Sequence, residues 1–495
     1  MSDILALGGY QSTANTDRLF AGFGNDIVNV DTGAGYSQNL TAGSKGDFET
    51  YLDYCFYVNG VDATRSYNGA AWSTLGKINR APIAKYAQVY GVKLYLGYLT
   101  INSQTYPSRV WHTDLPDNNE PRWGLEWGSL LSQTAASAVV NDPNADFEDY
   151  GIKAGDPIWI LSGANAGQYT VSSVDTGRTL TLTEDLANTV ATSTYIVGSN
   201  YFDVRTDDGD YLRGLGENSD RLLAFKLNSM HRYNGASLLQ VKGVPGTSSN
   251  ESIQNIKEQF TLWFHGSQLD KTGVYMYNGQ NGIKVSGVIQ PYIDGIAASI
   301  FPNVTAWREG DWYRCYVGDI TNAQRNISVT KAVISYHVAT NKWSVDPINK
   351  VPLCSTTFIE SNAEGTFFGD DSDAVFKTPS SWTFDTSPIP WAMETGIHYP
   401  EGAAIMNKFT RIQVVGRDCR AIRARYKLYG RPKTDDTQWL PLDDLEDSRT
   451  QLVIPLKHNR ASGINIRLAE TSTRENAQYI EKIIVFYEPQ GTRFI

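Results

Sequence analysis

Histidine, cysteine and charge are all sparse in this sequence of 495 residues. The cysteines stand at 55, 315, 354 and 419. No Cys-x-x-Cys pair or metal-type spacing fits those positions. A disulfide framework is not expected at this density, and reduced, buried thiols are. The histidines stand at 112, 231, 265, 337, 398 and 458, never as His-x-His or His-Glu-x-x-His, so no zinc motif exists. There is no Walker A run and no Gly-x-Ser-x-Gly elbow, so phosphate cradling and serine hydrolysis lack a motif. No cofactor and no catalytic residue is therefore expected. Charged residues make up 19% of the chain, below the usual quarter. No run of 18 apolar residues occurs, so no membrane-spanning helix is expected. Met1 to Gly9 lacks a basic n-region and a long apolar run, which predicts no secretory signal. These absences predict a chain made in a cytoplasm, with no lipid anchor. Helical periodicity is also nearly absent.

Aromatic residues are abundant at 12%, with 28 Tyr and 12 Trp. They can furnish a large core, which excludes global disorder. Lys and Arg number 43 against 53 Asp and Glu, a net charge of −10. That balance excludes a generally basic nucleic-acid binder. Period-2 runs alternate with turn dipeptides, so the chain is all-β. Asn-Gly occurs at 59–60, 68–69, 234–235, 278–279 and 281–282, and predicts hairpins with type I′ turns.

A repeat underlies the hairpins. Tyr67-Asn68-Gly69, Tyr233-Asn234-Gly235 and Tyr277-Asn278-Gly279 share a tripeptide after strand-like runs. A degenerate unit follows Lys93 to Gly97, and later units lie around Trp312 to Tyr316 and Thr366 to Phe376. A period of roughly 40–50 residues with several short strands per unit predicts a β-propeller of about six blades, plus or minus one. An early strand near Arg18 to Val30 is expected to complete the last blade. The segment 129–200 interrupts the repeat and reads as a small β-barrel module of about five strands, divided from propeller parts at 1–128 and 201–396. Residues 397–495 lack the tripeptide. Ile464, Ile466 and Leu468 alternate there with Asn465 and Arg467, which predicts a separate β-sandwich-like domain.

Glycosidase propellers need two carboxylates at a fixed separation. Asp207-Asp208-Gly209-Asp210 and Asp370-Asp371-Ser372-Asp373 are the densest acidic clusters, and both look like solvated turns. Glu309 and Asp311 are the next candidates. Ser173 to Leu180 resembles the Asp-box turn of sialidases, but a single copy in the insert is explained by a capped hairpin. The strongest charge pattern is C-terminal. Arg423, Arg425 and Lys427 share one face of a strand while Ile422, Ala424, Tyr426 and Leu428 share the other. Two readings stand: a solvated face neutralised by the acids of 435–447, or a subunit or nucleic-acid contact.

The phrasing of the repeats resembles that of the β-propeller tail nozzle or tail-hub proteins of short-tailed bacteriophages. It is carried by Phe56 to Gly60 with Tyr67 to Gly69, Arg80-Ala81-Pro82 with Lys93 to Gly97, and Ser108 to Trp111. It continues through Arg221 to Lys226, Gly246 to Ser249 ahead of Gly273 to Tyr277, and Trp307 to Tyr313. The resemblance covers 18–128 and 201–395 and does not account for the insert. It implies a non-enzymatic virion protein made in the host bacterial cytoplasm. It implies a homo-oligomeric ring, commonly a hexamer, in the tail. Its partners would be a portal or adaptor ring and other tail proteins such as a fibre, needle or spike. Phage DNA would pass through the channel without sequence-specific binding, and an acidic wall would let it slide. The alternative is a propeller glycosidase or carbohydrate-binding protein acting on host surface polysaccharide. A structural ring is expected to show no convergent carboxylate pair in a pocket.

Overall fold

The computed structural model describes residues 3–378, apart from 13–16, 74–80, 115–120, 220, 268–270, 361–362 and 373. Beyond 378 it describes chiefly the strands named below. The chain divides into two compact units, Met1–Trp343 with Asn349–Lys377, and Ser344–Ile348 with Thr378–Ile495.

The first unit is a β-propeller. Seven antiparallel sheets follow one another, six of four strands and the last of three. Their first strands are Ile4–Gln11, Asp47–Tyr51, Ile83–Tyr90, Gly214–Asn218, Gln254–Ile256, Thr305–Glu309 and Cys354–Glu360. Each lies beside the first strand of the next blade, and that of blade 7 lies beside that of blade 1. The count among the described residues is thus seven, at the upper bound of the expected range. The strand expected to complete the last blade does not do so. Asp17–Phe23 pairs with Ile4–Gln11 and with Asp26–Asn29 inside blade 1. The ring closes instead by packing and by bonds to Ile4, whose N–H donates to Asp370 O at 3.3 Å and whose carbonyl accepts from Cys354 Sγ at 3.3 Å.

Closure needs two glycines. A Cβ on Gly8 would sit 2.1 Å from Phe48 Cβ in blade 2, and one on Gly9 would sit 2.3 Å from Phe358 Cδ2 in blade 7. Successive residues of a strand point to opposite faces, so this pair lets blade 1 be gripped from both sides. Threonine hydroxyls stitch further blades. Thr50 Oγ1 donates to Gly9 O at 2.9 Å, Thr261 Oγ1 to Glu217 O at 2.6 Å, and Thr366 Oγ1 to Arg308 O at 2.6 Å. Each such bond contributes about 1 kcal/mol. Aromatic rings fill the wedges between. Phe20 meets Tyr67 at 4.9 Å and Trp72 at 5.2 Å, both edge to face, the arrangement that ring quadrupoles favour.

The repeated tripeptide has one structural role. In blades 2, 4 and 5 it turns the third strand into the fourth. The Tyr hydroxyl donates to the Gly carbonyl: Tyr67 to Gly69 at 2.8 Å, Tyr233 to Gly235 at 2.8 Å, Tyr277 to Gly279 at 2.6 Å. The Asn side-chain oxygen accepts from the two backbone N–H groups beyond the glycine, as Asn68 does from Ala70 and Ala71. Only the glycine has positive φ, near +89° at Gly69 and Gly235 and +88° at Gly279. The expected type I′ turn is therefore absent here, because the Asn side chain closes the loop in place of a second left-handed residue.

The insert leaves blade 3 after Gln104–His112 and returns as its outer strand, Tyr201–Asp203. Its strands form one sheet of seven, not five. Glu126–Gly128, assigned above to the propeller, pairs with Tyr195–Val197 in that sheet. The sheet turns along Gly167–Thr176, whose first half pairs with Pro157–Ile160 and second half with Thr179–Leu186. Val140, Phe147, Ile158, Val171, Leu180 and Tyr195 belong to its own buried core.

Among its described residues the second unit has a two-stranded hairpin, Thr383–Phe384 with Ser387–Pro388, and two larger sheets. One runs Ala392–Glu394, Gly463–Glu470, Ile422–Tyr429, Leu440–Leu445. The other is built on Ile405–Arg417, which pairs with Gln451–Pro455, Arg460–Ala461 and Tyr479–Thr492. Phe409, Ile412 and Val414 of one share a core with Tyr426, Leu428, Ile464, Ile466 and Leu468 of the other. Ile483, Val485 and Tyr487 pack on it.

Candidate functional site

One cavity of about 360 Å³ receives residues from every blade: Leu7, Asp47 and Glu49, Ala87, Glu217, Gln254 and Asn255, Arg308, and Ser355 to Thr357. It is the axial pit of the propeller. Asn250 and Glu251, from the short turn before blade 5, complete it. Four carboxylates thus converge at the axis, and the expectation of a pocket without convergent acids is corrected. The signal was in the first strands. Phe48 is buried between Asp47 and Glu49, so alternation sends both acids to the side away from it.

These carboxyls are partly stripped of water. Burial pushes Asp47 up to about 6 and Glu49 up to about 8, with the charges of Asp47 and Glu217 adding to the shift of Glu49. Burial pushes Glu251 up to about 8 against the opposing charge of Lys45. Burial also raises Glu217. Two of the acids tie blades together. Asp47 accepts from the Ala87 N–H at 3.0 Å and from Asn250 Nδ2 at 3.4 Å. Glu49 accepts from the Val89 N–H at 2.9 Å. Arg308 donates to Asn255 O at 3.3 Å and to Glu364 Oε2 at 3.0 Å. No Trp, Tyr or Phe lines the pit.

The acidic clusters of the sequence lie elsewhere. Asp208 accepts from Lys226 Nζ at 2.6 Å. That ammonium is fully buried and also donates to the carbonyls of Arg205 and Asp210. Asp210 caps the backbone N–H groups of Tyr211 and Asn228 at 2.9 and 2.8 Å. Asp207 is exposed. Asp370 caps Ser372 and Ala374 at 2.9 and 3.2 Å, and Asp373 lies outside the described residues. Glu309 pairs with Arg314 and Asp311 with Lys257, each at 2.6 Å. Asp175 of the Asp-box-like segment accepts from Ser173 and Thr181, each at 2.6 Å, as a capped hairpin does.

Arg425 is exposed and Lys427 half-buried on one face of their strand, with Tyr426 and Leu428 buried on the other. Arg423 stands opposite Asp444, and Arg425 opposite Arg467. Burial pushes His231 and His265 down to about 4. No group of three or more His, Cys, Asp or Glu among the described residues has metal-holding geometry. Cys55, Cys315 and Cys354 are buried and free, and Cys419 is outside the described residues.

No protein-family model matches the sequence, and no curated protein does. Solved structures with some likeness include Sqt1 of Saccharomyces cerevisiae, at 10% identity and TM-score 0.37, covering 77% of this chain and 97% of that one. The endosialidase of phage phi92 follows at 10% and 0.21, covering 90% and 72%. An exo-β-1,3-galactanase of Phanerochaete chrysosporium stands at 12% and 0.21, covering 98% and 99%. At such scores the propeller assignment rests on the chain's own sheet order.

Proposed function

We propose that the chain is a bacteriophage virion structural protein, one copy of a ring in the tail nozzle through which the genome leaves. The observation that carries this reading is how the axial pit uses its acids, although their convergence is what a structural ring was expected to lack. Its volume, about 360 Å³, is that of a small-molecule site and far too small for a duplex. Its acids Asp47 and Glu49 hold blade 2 to backbone N–H groups of blade 3. A block closed at its own axis does not conduct DNA by itself, so the channel runs between copies. Residues 1–377 carry 27 Lys and Arg against 39 Asp and Glu, a net −12, which repels phosphate along such a wall. A portal or adaptor ring above and further tail proteins below are the partners this role needs. The test is the mass of the pure protein together with imaging of the parent particle. A closed ring of identical copies in either is expected. A chain that is monomeric both alone and in its particle overturns the reading.

One observation favours a second reading. Raised carboxylates converging in a cavity mark many active sites, and Glu49 and Glu251 meet that description, as a glycosidase acting on host polysaccharide requires. Among its described residues the pit has no aromatic wall, and its apolar lining is limited to Leu7, Ala87, Leu215 and Ile253, where ligand sites are usually lined mainly by apolar and aromatic groups, which ranks this reading second. Glycan cleavage by the pure protein that falls sharply in Glu49→Gln or Glu251→Gln would establish it.

A further inference from the structure

Charge is unevenly divided along the chain. Residues 378–495 carry 16 Lys and Arg against 14 Asp and Glu, a net +2, while the insert 129–200 carries two against eight, a net −6. Of the insert's two cations, Lys153 is paired with Asp114 at 3.5 Å and Arg178 is exposed. Glu148, Asp175, Glu184 and Asp185 are exposed. The first sheet of the second unit presents the opposite sign. Arg425 and Arg467 are both exposed and stand directly opposite each other. Like charges so placed weaken a sheet. Lys427, on the same face, stands opposite Asn465, and Arg425 has Pro441 on its other side. Acids reach this face at Asp444, opposite Arg423, and at Glu394, opposite Arg467. Asp435, Asp436, Glu446 and Asp447 lie outside the described residues, and among those described the pairing of exposed Arg425 with exposed Arg467 is what the neutralised-face reading does not explain.

We infer that this basic face docks the acidic insert of a second copy of the chain. The proposal rests on the ring reading and gives it a contact. Two different patches on one molecule make a heterologous interface, which closes into a ring when the rotation between copies allows. The occupant follows from charge. The insert concentrates a net −6 in 72 residues, and its exposed Glu184 and Asp185 lie at the end of the strand Thr179–Leu186. A like-signed pair such as Arg425 and Arg467 is stabilised by an anionic surface across an interface and destabilised without one. Attraction of this kind steers association and weakens as salt shortens the Debye length.

The test is a charge swap in the full-length chain, followed by mass measurement at low salt. Arg425→Glu with Arg467→Glu is one variant, and Glu184→Lys with Asp185→Lys is the other. Arg425→Gln with Arg467→Gln serves where the reversal unfolds the sheet. Each change alone should raise the concentration for assembly by about tenfold or more. Mixing the two reversed chains, or combining both changes in one chain, should recover assembly. Wild-type rings that are indifferent to either reversal, or a swap that recovers nothing, overturn this contact and leave the ring intact. A wild-type chain monomeric at low salt and in its particle overturns the contact and the ring together. A basic-face variant that assembles normally but loses retention on duplex DNA also overturns it and makes the face a nucleic-acid contact.

Discussion

Arg109 and Asp203 are 94 residues apart and form a two-point ion pair, Nε to Oδ1 at 2.8 Å and Nη2 to Oδ2 at 2.9 Å. The guanidinium also lies 3.9 Å from the ring centre of Tyr201 and 4.4 Å from that of Tyr106. Between the two residues the chain makes the whole insert, then returns to finish blade 3. The pair marks where the returning strand is sewn in. Arg109→Ala should cost about 1 kcal/mol, discounted for partial exposure. Arg109→Lys should recover little, since it loses the fork and the stacking. Hydrogen exchange should speed at Tyr201–Asp203 and leave the distant blades unchanged.

The insert should be removable at a particular seam. Gly128 and Tyr195 are cross-strand partners at the mouth of the module. Trp123 and Leu125, just before that seam, are buried with Trp111 in the core of the blade. Replacing 129–194 with a short turn therefore keeps every fully buried residue of that core and removes only the half-buried Trp159 and Leu161 packed against it. A single cooperative thermal transition should survive. Replacing 113–200 instead removes Trp123 and should cost roughly 3–5 kcal/mol. Equal stability of the two deletions would show that Trp123 does not serve the blade.

The acidic turns differ from one another more than their sequences suggest. Asp207→Asn should be nearly silent, as the residue is exposed. Asp208→Asn removes the charge partner of the fully buried Lys226 ammonium, which keeps its bonds to the carbonyls of Arg205 and Asp210, and should cost about 1–3 kcal/mol. The double change Asp208→Asn with Lys226→Met should regain much of the loss. Urea denaturation of the four proteins checks this.

Much of the fold was legible because repetition is local. Tyr-Asn-Gly marks three blades, and period-2 runs mark their strands. The first blade was not legible, since Ile4 to Gln11 carries no tripeptide and its glycines matter through Phe48 and Phe358, which are remote in sequence. Seven blades were therefore read as about six. The alternation of Ile464, Ile466 and Leu468 gave the sandwich core directly. The axial acids escaped notice because adjacent aspartates draw the eye to turns. Asp47, Glu49, Glu217 and Glu251 become neighbours only through ring closure, which no local pattern records.

The glycine pair offers a direct test of that closure. Gly9→Ala places a methyl against Phe358, and Gly8→Ala against Phe48. Overpacking of this kind costs roughly 1–3 kcal/mol. Phe358→Leu should partly rescue Gly9→Ala and leave Gly8→Ala unrescued. Rescue of both by the same change would place the strain elsewhere.

The axial carboxyls set the sign of the pH dependence. Their folded pKa values lie above the ordinary carboxylate values: Asp47 about 6, Glu49 and Glu251 about 8. The folded chain therefore holds protons that the unfolded chain has released between pH 4 and 8. Where the folded state binds more protons, stability falls as pH rises. The stabilising effect of these groups is complete below about pH 4 and is lost through pH 6 and then 8. Other carboxylates oppose it in acid, where Asp62, Asp175 and Asp208, held below their ordinary values, become protonated. The melting temperature should thus fall from pH 5.5 to 9. Glu49→Gln with Glu251→Gln should flatten that slope, leaving stability near wild type at pH 5.5 and above it at pH 9. A wild-type melting temperature that rises across this range, or a double variant with an unchanged slope, would show the pit acids to be ionised and solvated in the fold.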